Sequence, residues 1–471
     1  MINAYFLKKV RQEIIGLNTK VPLITGNHTK YINFDNAAST PSFKRVYYKI
    51  KNFLDWYSNV HRGTGFKSQL STEIYEEVHH LVTQFVGANP KDNTVILVKN
   101  TTEAINKLAN SLNLSKEDII ITTLMEHHSN ILPWRDKAEV IYINLDKDGY
   151  LDLNDLEDKL KTYRSKVKLV TVSGASNVTG YINPIHKIAK LVHNYNSKLL
   201  VDAAQLIPHR PINMMDNQEA KHIDYLTFSA HKMYAPFGTG VLIGPKDSFK
   251  NIRPDYSGGG TVKAVTKDDV IWADLPNKEE AGTPNIIGAV ALGASIKEIQ
   301  NLGWPDLIKN EEYLTKYTLK ELQKIDNIEL YGKMKSKTSL DQVGVIPFNI
   351  KGVPHSLTAA ILANEAGIGV RNGCFCAHLY LQHLLELGQE DINQFKSNII
   401  KGDQSQKPGL VRMSFGCYNT PSEVDKLIEA LKKITLLNSQ GTDLTTNYTL
   451  NPKTGEYKSK TNINYRQYFR L

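Results

Sequence analysis

Thr227-Phe-Ser-Ala-His-Lys232, with Val201-Asp-Ala-Ala-Gln205 upstream of it, is the stretch on which the reading of this chain turns. The apolar run Tyr225-Leu-Thr-Phe228 reads as a buried strand, and Gly238-Thr-Gly-Val-Leu-Ile-Gly244 as a turn into the next one. A lysine between two such strands is expensive to bury as an ammonium unless its charge is lost or paired. An imine with pyridoxal phosphate is one way to lose it. Asp202 ends another short apolar run, Lys198-Leu-Leu-Val201. A carboxylate there can pair with a pyridinium nitrogen, so that the ring withdraws electrons from a substrate carbanion. Taken singly, Asp202 reads equally well as a strand cap, and Lys232 as a loop lysine with its stem along apolar surface. Beside Ser229 and His231, which can both hold a phosphate, the two read together as a cofactor site.

Outward from this stretch, short β-rich runs alternate with amphipathic segments from about residue 90 to 245. Thr94-Val-Ile-Leu-Val98, Asp118-Ile-Ile-Ile-Thr122, Glu139-Val-Ile-Tyr-Ile143 and Lys168-Leu-Val-Thr-Val172 are near-continuous apolar strands. Such strands imply an α/β fold, a mostly parallel sheet covered by helices on both faces. Ligands of such sheets sit beyond the strand C-termini. Asn100-Thr-Thr-Glu103, Met125-Glu-His-His128, Ser176-Asn177 and Asp202 all fall there. Thr101 to Ala109 starts a helix with Ala104, Ile105, Leu108 and Leu112 on its apolar face. Asn100 or Thr101 serves as its N-cap, and its free N–H groups offer a phosphate seat.

From about 300 to 437 the pattern changes to a smaller α+β region. It holds a helix over Glu311 to Lys324, a strand over Val343 to Asn349 and a final helix over Ser422 to Ile434. The expected organisation is a helical segment over 1–25 packing with the small domain and a large cofactor-binding domain over 26–300. A small C-terminal domain with the cysteine loop over 301–437 and a polar tail over 438–471 complete it. The tail shows no apolar period and is expected to be disordered or laid across the surface. Phe6, Val10 and Ile14 recur at helical spacing and suggest an amphipathic helix near the start.

Composition narrows the class. Hydrophobic residues are 41% and charged residues 22% of 471, which is ordinary for a globular protein. The excess of Lys and Arg over Asp and Glu, 57 − 48 = 9, is scattered outside the tail, so it favours anionic small molecules over nucleic acid. No apolar run has the ~20 residues of a membrane span, and the N-terminus lacks the apolar stretch of a secretory signal. Three cysteines, Cys374, Cys376 and Cys417, are too few for a disulfide framework and suit a reducing compartment, by default the cytoplasm.

Several motifs are specific in combination. They are Asp35-Asn-Ala-Ala38, His61-Arg-Gly63, Thr101-Thr-Glu103, Glu126-His-His-Ser-Asn-Ile-Leu-Pro-Trp134 and Ser176-Asn-Val-Thr-Gly180. With them go Gly258-Gly-Gly260, Glu280-Ala-Gly-Thr-Pro-Asn285, Val370-Arg-Asn-Gly-Cys-Phe-Cys-Ala377 and the two segments quoted first. From about residue 25 to 437 the chain resembles the class V aminotransferases, pyridoxal phosphate enzymes of fold type I. Within them it looks like the cysteine desulfurase and selenocysteine lyase group of the Suf type.

The resemblance implies roles by position. Lys232 matches the Schiff-base lysine, Asp202 the pyridinium partner and Gln205 the hydrogen bond to the ring oxygen. His127 matches the imidazole that stacks on the ring and moves protons. Thr101, Thr102, Ser229 and His231 fall at the phosphate, with Thr283 supplied by the second subunit of a homodimer. Asn177 and Arg412 match the groups that hold the substrate carboxylate, where a guanidinium fork suits a bidentate acceptor. His61 and Arg371 match residues lining the substrate side, and Cys376 the nucleophile. The implied reaction takes sulfur from L-cysteine, leaves L-alanine and an enzyme persulfide on Cys376, and passes the sulfur to an acceptor, as in iron–sulfur cluster assembly. Only a thiolate does this.

Cys376 otherwise reads as a small buried hydrophobe, but its polar, glycine-flanked setting disfavours burial. Cys374 is a resolving thiol or a bystander, and Cys417 suits core packing. Cys374, Cys376 and His378 lack a second ligand pair for zinc, so no metal is expected. The interval from Cys376 to Arg412 is longer than in Suf-type desulfurases. Its insert, roughly 379 to 409, holds a helical stretch over Leu381 to Leu387 and a polar loop over Lys401 to Gly409. Together with Val411-Arg-Met-Ser-Phe-Gly416 it is similar to the corresponding stretch of molybdenum cofactor sulfurases, which puts the acceptor more than the chemistry in question. Two other readings stand beside the desulfurase. One is a class V enzyme without need of Cys376: a carbon–sulfur lyase, selenocysteine lyase, epimerase or aminotransferase. The other is a non-catalytic sulfur-relay protein. L-selenocysteine presents the same carboxylate and amine as L-cysteine and stays open as a substrate.

Overall fold

The computed structural model describes residues 4–61, 63–332 and 342–471. Arg62 of the His61-Arg-Gly63 motif lies outside the described residues. Two compact units are formed, a large one from residues 39–176 and 181–308, and a small one from 1–38, 177–180 and 309–471. Among the described residues no helix is long and apolar enough to cross a membrane.

The large unit is built on a seven-stranded sheet. Its spatial order is Asn93–Val98, Gly240–Pro245, Tyr225–Ser229, Lys198–Asp202, Val167–Ser173, Ile119–Thr123 and Glu139–Ile143. Gly240–Pro245 runs antiparallel to both neighbours, and the other pairs are parallel. Ile119–Thr123 and Tyr225–Ser229 are buried at every residue. That is why these strands read as continuous apolar runs without alternation: a parallel sheet is covered on both faces. On one face the helix Thr101–Ser111 lays Ala104, Ile105 and Leu108 among Ile96, Ile120, Trp134, Leu169, Leu200 and Leu242. Each large apolar side chain so buried contributes roughly 1.5–3 kcal/mol. The helix begins where it does because the Asn100 side chain accepts the Glu103 N–H at 3.0 Å. Gly240 lets its strand pass close beneath that cap, since a Cβ there would lie 2.5 Å from Asn100 Cα. The helix Ile286–Leu302 is buried nearly all round and packs against Lys44–Leu54 and Phe66–Phe85.

The small unit has an antiparallel sheet in the order Ile328–Leu330, Val345–Ile350, Leu410–Ser414, Arg371–Gly373. A second, parallel pair joins Ile32–Asn33 to Ile368–Gly369. The helices His355–Ala366 and Pro421–Ser439 supply Leu357, Ile361, Leu362, Leu427 and Leu431 to a core with Phe34, Phe348 and Met413. Pro421–Ser439 starts with a capping box, Thr420 to the Glu423 N–H and Glu423 back to the Thr420 N–H. The first helix, Ala4–Glu13, buries Phe6 and Val10, with Ile14 just past its end also buried. Arg11 ties it to Glu423 at 2.8 Å.

Some elements differ from expectation. The helix expected from Glu311 starts at Trp304, because Pro305 fits a first helical turn directly after Gly303. The strand expected at Val343 runs from Val345 to Ile350. The insert holds two helices, His378–Leu384 and Gln389–Ile400. The second has no buried residue, so no apolar period marks it. Of the two alternatives for the tail, the ordered one holds at Tyr448–Asn451 and Glu456–Ser459, which form a hairpin. Tyr448 is buried and its hydroxyl donates to Glu365 at 3.2 Å. Cys417 is half-buried and not a core residue.

Candidate active site

In the large unit the expected cofactor residues gather at the C-terminal ends of adjacent strands. Asp202 closes its strand and is buried, with the Ala204 N–H at 2.9 Å from Oδ1. Burial pushes its carboxyl above the ordinary range, opposed by that hydrogen bond and by the charge of Lys232. Lys232 lies half-buried on the single turn Ala230–Lys232 that follows Tyr225–Ser229. Its charge also acts on His231, whose pKa falls to about 4, chiefly through burial. His231 is therefore a neutral imidazole at neutral pH. Its carbonyl is fixed by the Thr40 N–H at 3.0 Å. Gln205 is buried, and its Oε1 has no hydrogen-bond partner among the described residues.

Hydroxyls converge at the start of the helix Thr101–Ser111. Ser229 Oγ accepts from the Thr101 N–H at 2.9 Å and lies 2.8 Å from Thr101 Oγ1. Thr102 Oγ1 lies 2.7 Å from Ser129 Oγ. The Ser129 N–H donates to Nδ1 of His127 at 3.1 Å, and with Nδ1 accepting, Nε2 is the ring nitrogen that carries a proton. Four hydroxyls gathered at a helix start, where the helix dipole is positive, make a seat for a phosphate. The buried Asp202 carboxylate, the orphaned Gln205 Oε1 and the nearby Lys232 amine match a heteroaromatic ring with a protonated nitrogen, a ring oxygen and an aldehyde. The residues present thus fit pyridoxal phosphate.

Sequence reasoning missed the group that fastens this turn. Glu126 is fully buried and accepts four hydrogen bonds. Oε1 takes Thr123 Oγ1 at 2.7 Å and the Ser173 N–H at 3.0 Å. Oε2 takes Asn130 Nδ2 at 2.7 Å and Ser173 Oγ at 2.6 Å. Burial raises its pKa to about 7 against these bonds. Glu280, in the motif Glu280-Ala-Gly-Thr-Pro-Asn285, likewise has partners far along the chain: it accepts from Tyr75 at 2.6 Å and the Leu97 N–H at 2.6 Å, with His79 Nε2 at 2.9 Å. Thr283, three residues on, is exposed and lines a cavity of about 270 Å³ with Tyr75, Lys99, Lys107 and Tyr256. His61 is exposed at φ 72°, with its N–H on Thr72 Oγ1 at 2.9 Å.

In the small unit Arg412 sits on Leu410–Ser414, its side chain 3% exposed. Nη1 donates to the Asn177 carbonyl at 2.8 Å, and the guanidinium lies 4.8 Å from the Phe375 ring centre. Asn177 Nδ2 donates to the Phe375 carbonyl at 2.8 Å. Burial lowers the Arg412 pKa to about 10, resisted by Asp35. Asp35 also receives Arg371 Nη2 at 2.9 Å, a link invisible in the sequence. Phe375 and Cys376 both take positive φ, 53° and 55°. Two consecutive non-glycine residues in that region are costly and mark a turn held by its surroundings. The turn leaves Cys376 exposed while Cys374 is buried. Cys374 Sγ donates to the Pro408 carbonyl at 3.3 Å, and burial pushes its pKa to about 11. It is therefore a neutral thiol.

Residues 32–427 match the family model described as aminotransferase class-V. A cysteine desulfurase of Haloferax volcanii is 33% identical over 412 residues, 86% of this chain and 89% of that protein. A probable cysteine desulfurase of Staphylococcus epidermidis is 35% identical over 441 residues, 92% and 97% of the two chains. Among solved structures, the apo cysteine desulfurase of Thermococcus onnurineus superposes with a TM-score of 0.78 at 30% identity, covering 93% of this chain and all of that one.

Proposed function

The chain belongs to the class V aminotransferase family and has the function of its cysteine desulfurases, and we propose that its residues divide the work as follows. Pyridoxal 5′-phosphate, the cofactor of this family, supplies an electron sink for the pair left at the substrate Cα. Thr101, Thr102, Ser229 and His231 hold its phosphate, with Thr283 reaching across a homodimer. Asp202 would keep the ring nitrogen protonated, Gln205 would meet the ring oxygen and His127 would lie against the ring. Lys232 is the amine that would hold the cofactor's aldehyde and would carry the Cα proton. Arg412 and Asn177 take the carboxylate of L-cysteine, or of L-selenocysteine, with Arg371 and His61 lining the substrate side.

The Cys376 thiolate then attacks the substrate sulfur. A sulfur–sulfur bond forms as the Cβ–S bond breaks, the electron pair passes to carbon, and protonation there gives L-alanine. The persulfide left on Cys376 is handed to an acceptor, and iron–sulfur cluster assembly in the cytoplasm is the setting that the Suf-type motifs and the three free cysteines support.

The observation that carries this reading is the turn at Phe375-Cys376, which exposes one thiol while Cys374 stays buried and protonated. The test compares wild type with Cys376→Ser for alanine and sulfide release from L-cysteine with a reductant. Activity should collapse in the variant while the visible absorbance of the lysine-bound cofactor persists. Equal alanine and sulfide from both proteins would remove Cys376 from the chemistry, and pyruvate in place of alanine would make the enzyme a lyase.

A further inference from the structure

In the small unit two arginines stand opposite each other: Arg371 pairs with Arg412 across the antiparallel ladder of Arg371–Gly373 and Leu410–Ser414. Like charges facing each other across strands destabilise the pair. The buried Arg412 is the worse placed, because it has little water to screen it. One carboxylate compensates both. Asp35 Oδ1 lies 3.1 Å from Arg412 Nη2, and Oδ2 lies 2.9 Å from Arg371 Nη2. The backbone fixes Asp35 there through a bridge to Ser414, two residues beyond Arg412, and through its N–H on Asn33 Oδ1 at 2.9 Å. Arg412 Nε keeps no partner among the described residues. Two guanidinium groups against one carboxylate leave one positive charge and unused donors.

We infer that Asp35 is the positioning and charge-balancing residue of the substrate-carboxylate seat, holding Arg371 and Arg412 side by side and leaving one uncompensated charge for one carboxylate. This rests on the reading that Arg412 receives the substrate carboxylate. A seat with no Asp35 would carry two uncompensated charges and hold every carboxylate more tightly, product included. A seat with no Arg371 would carry none.

The test uses holoenzyme of wild type, Asp35→Asn, Arg371→Gln and Arg412→Gln, with kcat and KM for L-cysteine and the inhibition constant of L-alanine at low and high salt. Asn keeps the shape and one acceptor oxygen while removing the charge. A unit charge at this range, partly screened, is worth about tenfold in affinity. Asp35→Asn should lower KM and the alanine constant about tenfold at low salt with no rise in kcat, and Arg371→Gln should raise both by a similar factor. A merely structural role would move both variants in the same direction. Constants for Asp35→Asn within twofold of wild type, or above it, would overturn the inference. If Asp35→Asn does not fold, Arg371→Gln decides alone, and constants no higher than wild type would sink the charge balance. Arg412→Gln separates the two readings: alanine bound as in wild type there would refute the carboxylate seat itself.

Discussion

Replacing Glu126 by Gln changes one atom type at a fully buried site. Its effect should reverse with pH. The carboxyl's pKa rises from 4.5 to about 7 because burial penalises the charge more than its four hydrogen bonds favour it. A shift of that size is worth about 3 kcal/mol. With the folded value above the unfolded one, the contribution is fully present below pH 4.5 and is lost as pH rises through 7. The glutamine does not titrate, but its NH2 must replace one oxygen. Oε1 faces the Ser173 N–H and Oε2 faces Asn130 Nδ2. The hydroxyls of Thr123 and Ser173 can turn, whereas neither N–H can become an acceptor. One donor is left unmatched, at a cost of about 1–3 kcal/mol. Glu126→Gln should therefore be less stable than wild type near pH 5 by that amount, and equal or more stable near pH 8. The assay is urea denaturation of both holoenzymes at the two pH values, followed by circular dichroism. A stability difference that does not change between pH 5 and pH 8 would refute the reasoning.

Two further outcomes follow from buried charges elsewhere in the large unit. Lys107 Nζ meets Glu279 Oε2 at 3.2 Å with both side chains at most 2% exposed, so Lys107→Met strands a carboxylate and should cost about 3–5 kcal/mol; Lys107→Met with Glu279→Met should recover most of it in the same denaturation assay. Asp224 sits between His193 Nε2 at 2.9 Å and His222 Nε2 at 3.4 Å, which helps lower its pKa to about 2 against burial, while its hydrogen bond raises that of His222. Stability from the depressed carboxyl is present above its unfolded value of 3.8 and lost as pH falls toward 2, and that from the raised imidazole is present below 6.5 and lost as pH rises through its folded value. Asp224→Asn should thus cost most near pH 5 and less at pH 8, and a thermal-shift series showing a pH-independent loss would contradict it.

The strands of the large sheet were legible because burial on both faces writes them as apolar runs, and their ends located Asp202, Ser229 and the helix start at Thr101. Residues whose roles depend on distant partners were not. Asp35 meets Arg371 and Arg412 more than 330 positions away, and nothing local announces that. Glu126 stood inside its motif, but two of its four donors are the N–H and hydroxyl of Ser173, 47 positions on. The helix Gln389–Ile400 and the Tyr448–Ser459 hairpin escaped for another reason. They are largely polar, so no period distinguishes them from a loop.

The pairing of Ile32–Asn33 with Ile368–Gly369 has a consequence for the newborn chain. The two strands are separated by 336 positions, taken as 368 − 32. At ~5–20 residues per second, the first strand emerges roughly 20–60 seconds before its partner exists. In that interval its hydrogen-bonding edge, with Phe34 beside it, has no native mate, whereas residues 39–308 can already collapse on the large sheet. The first 38 residues are thus the stretch most exposed to wrong pairing during synthesis. Holdase chaperones would be expected to find their footing there, and the small unit would be the last to acquire its native structure.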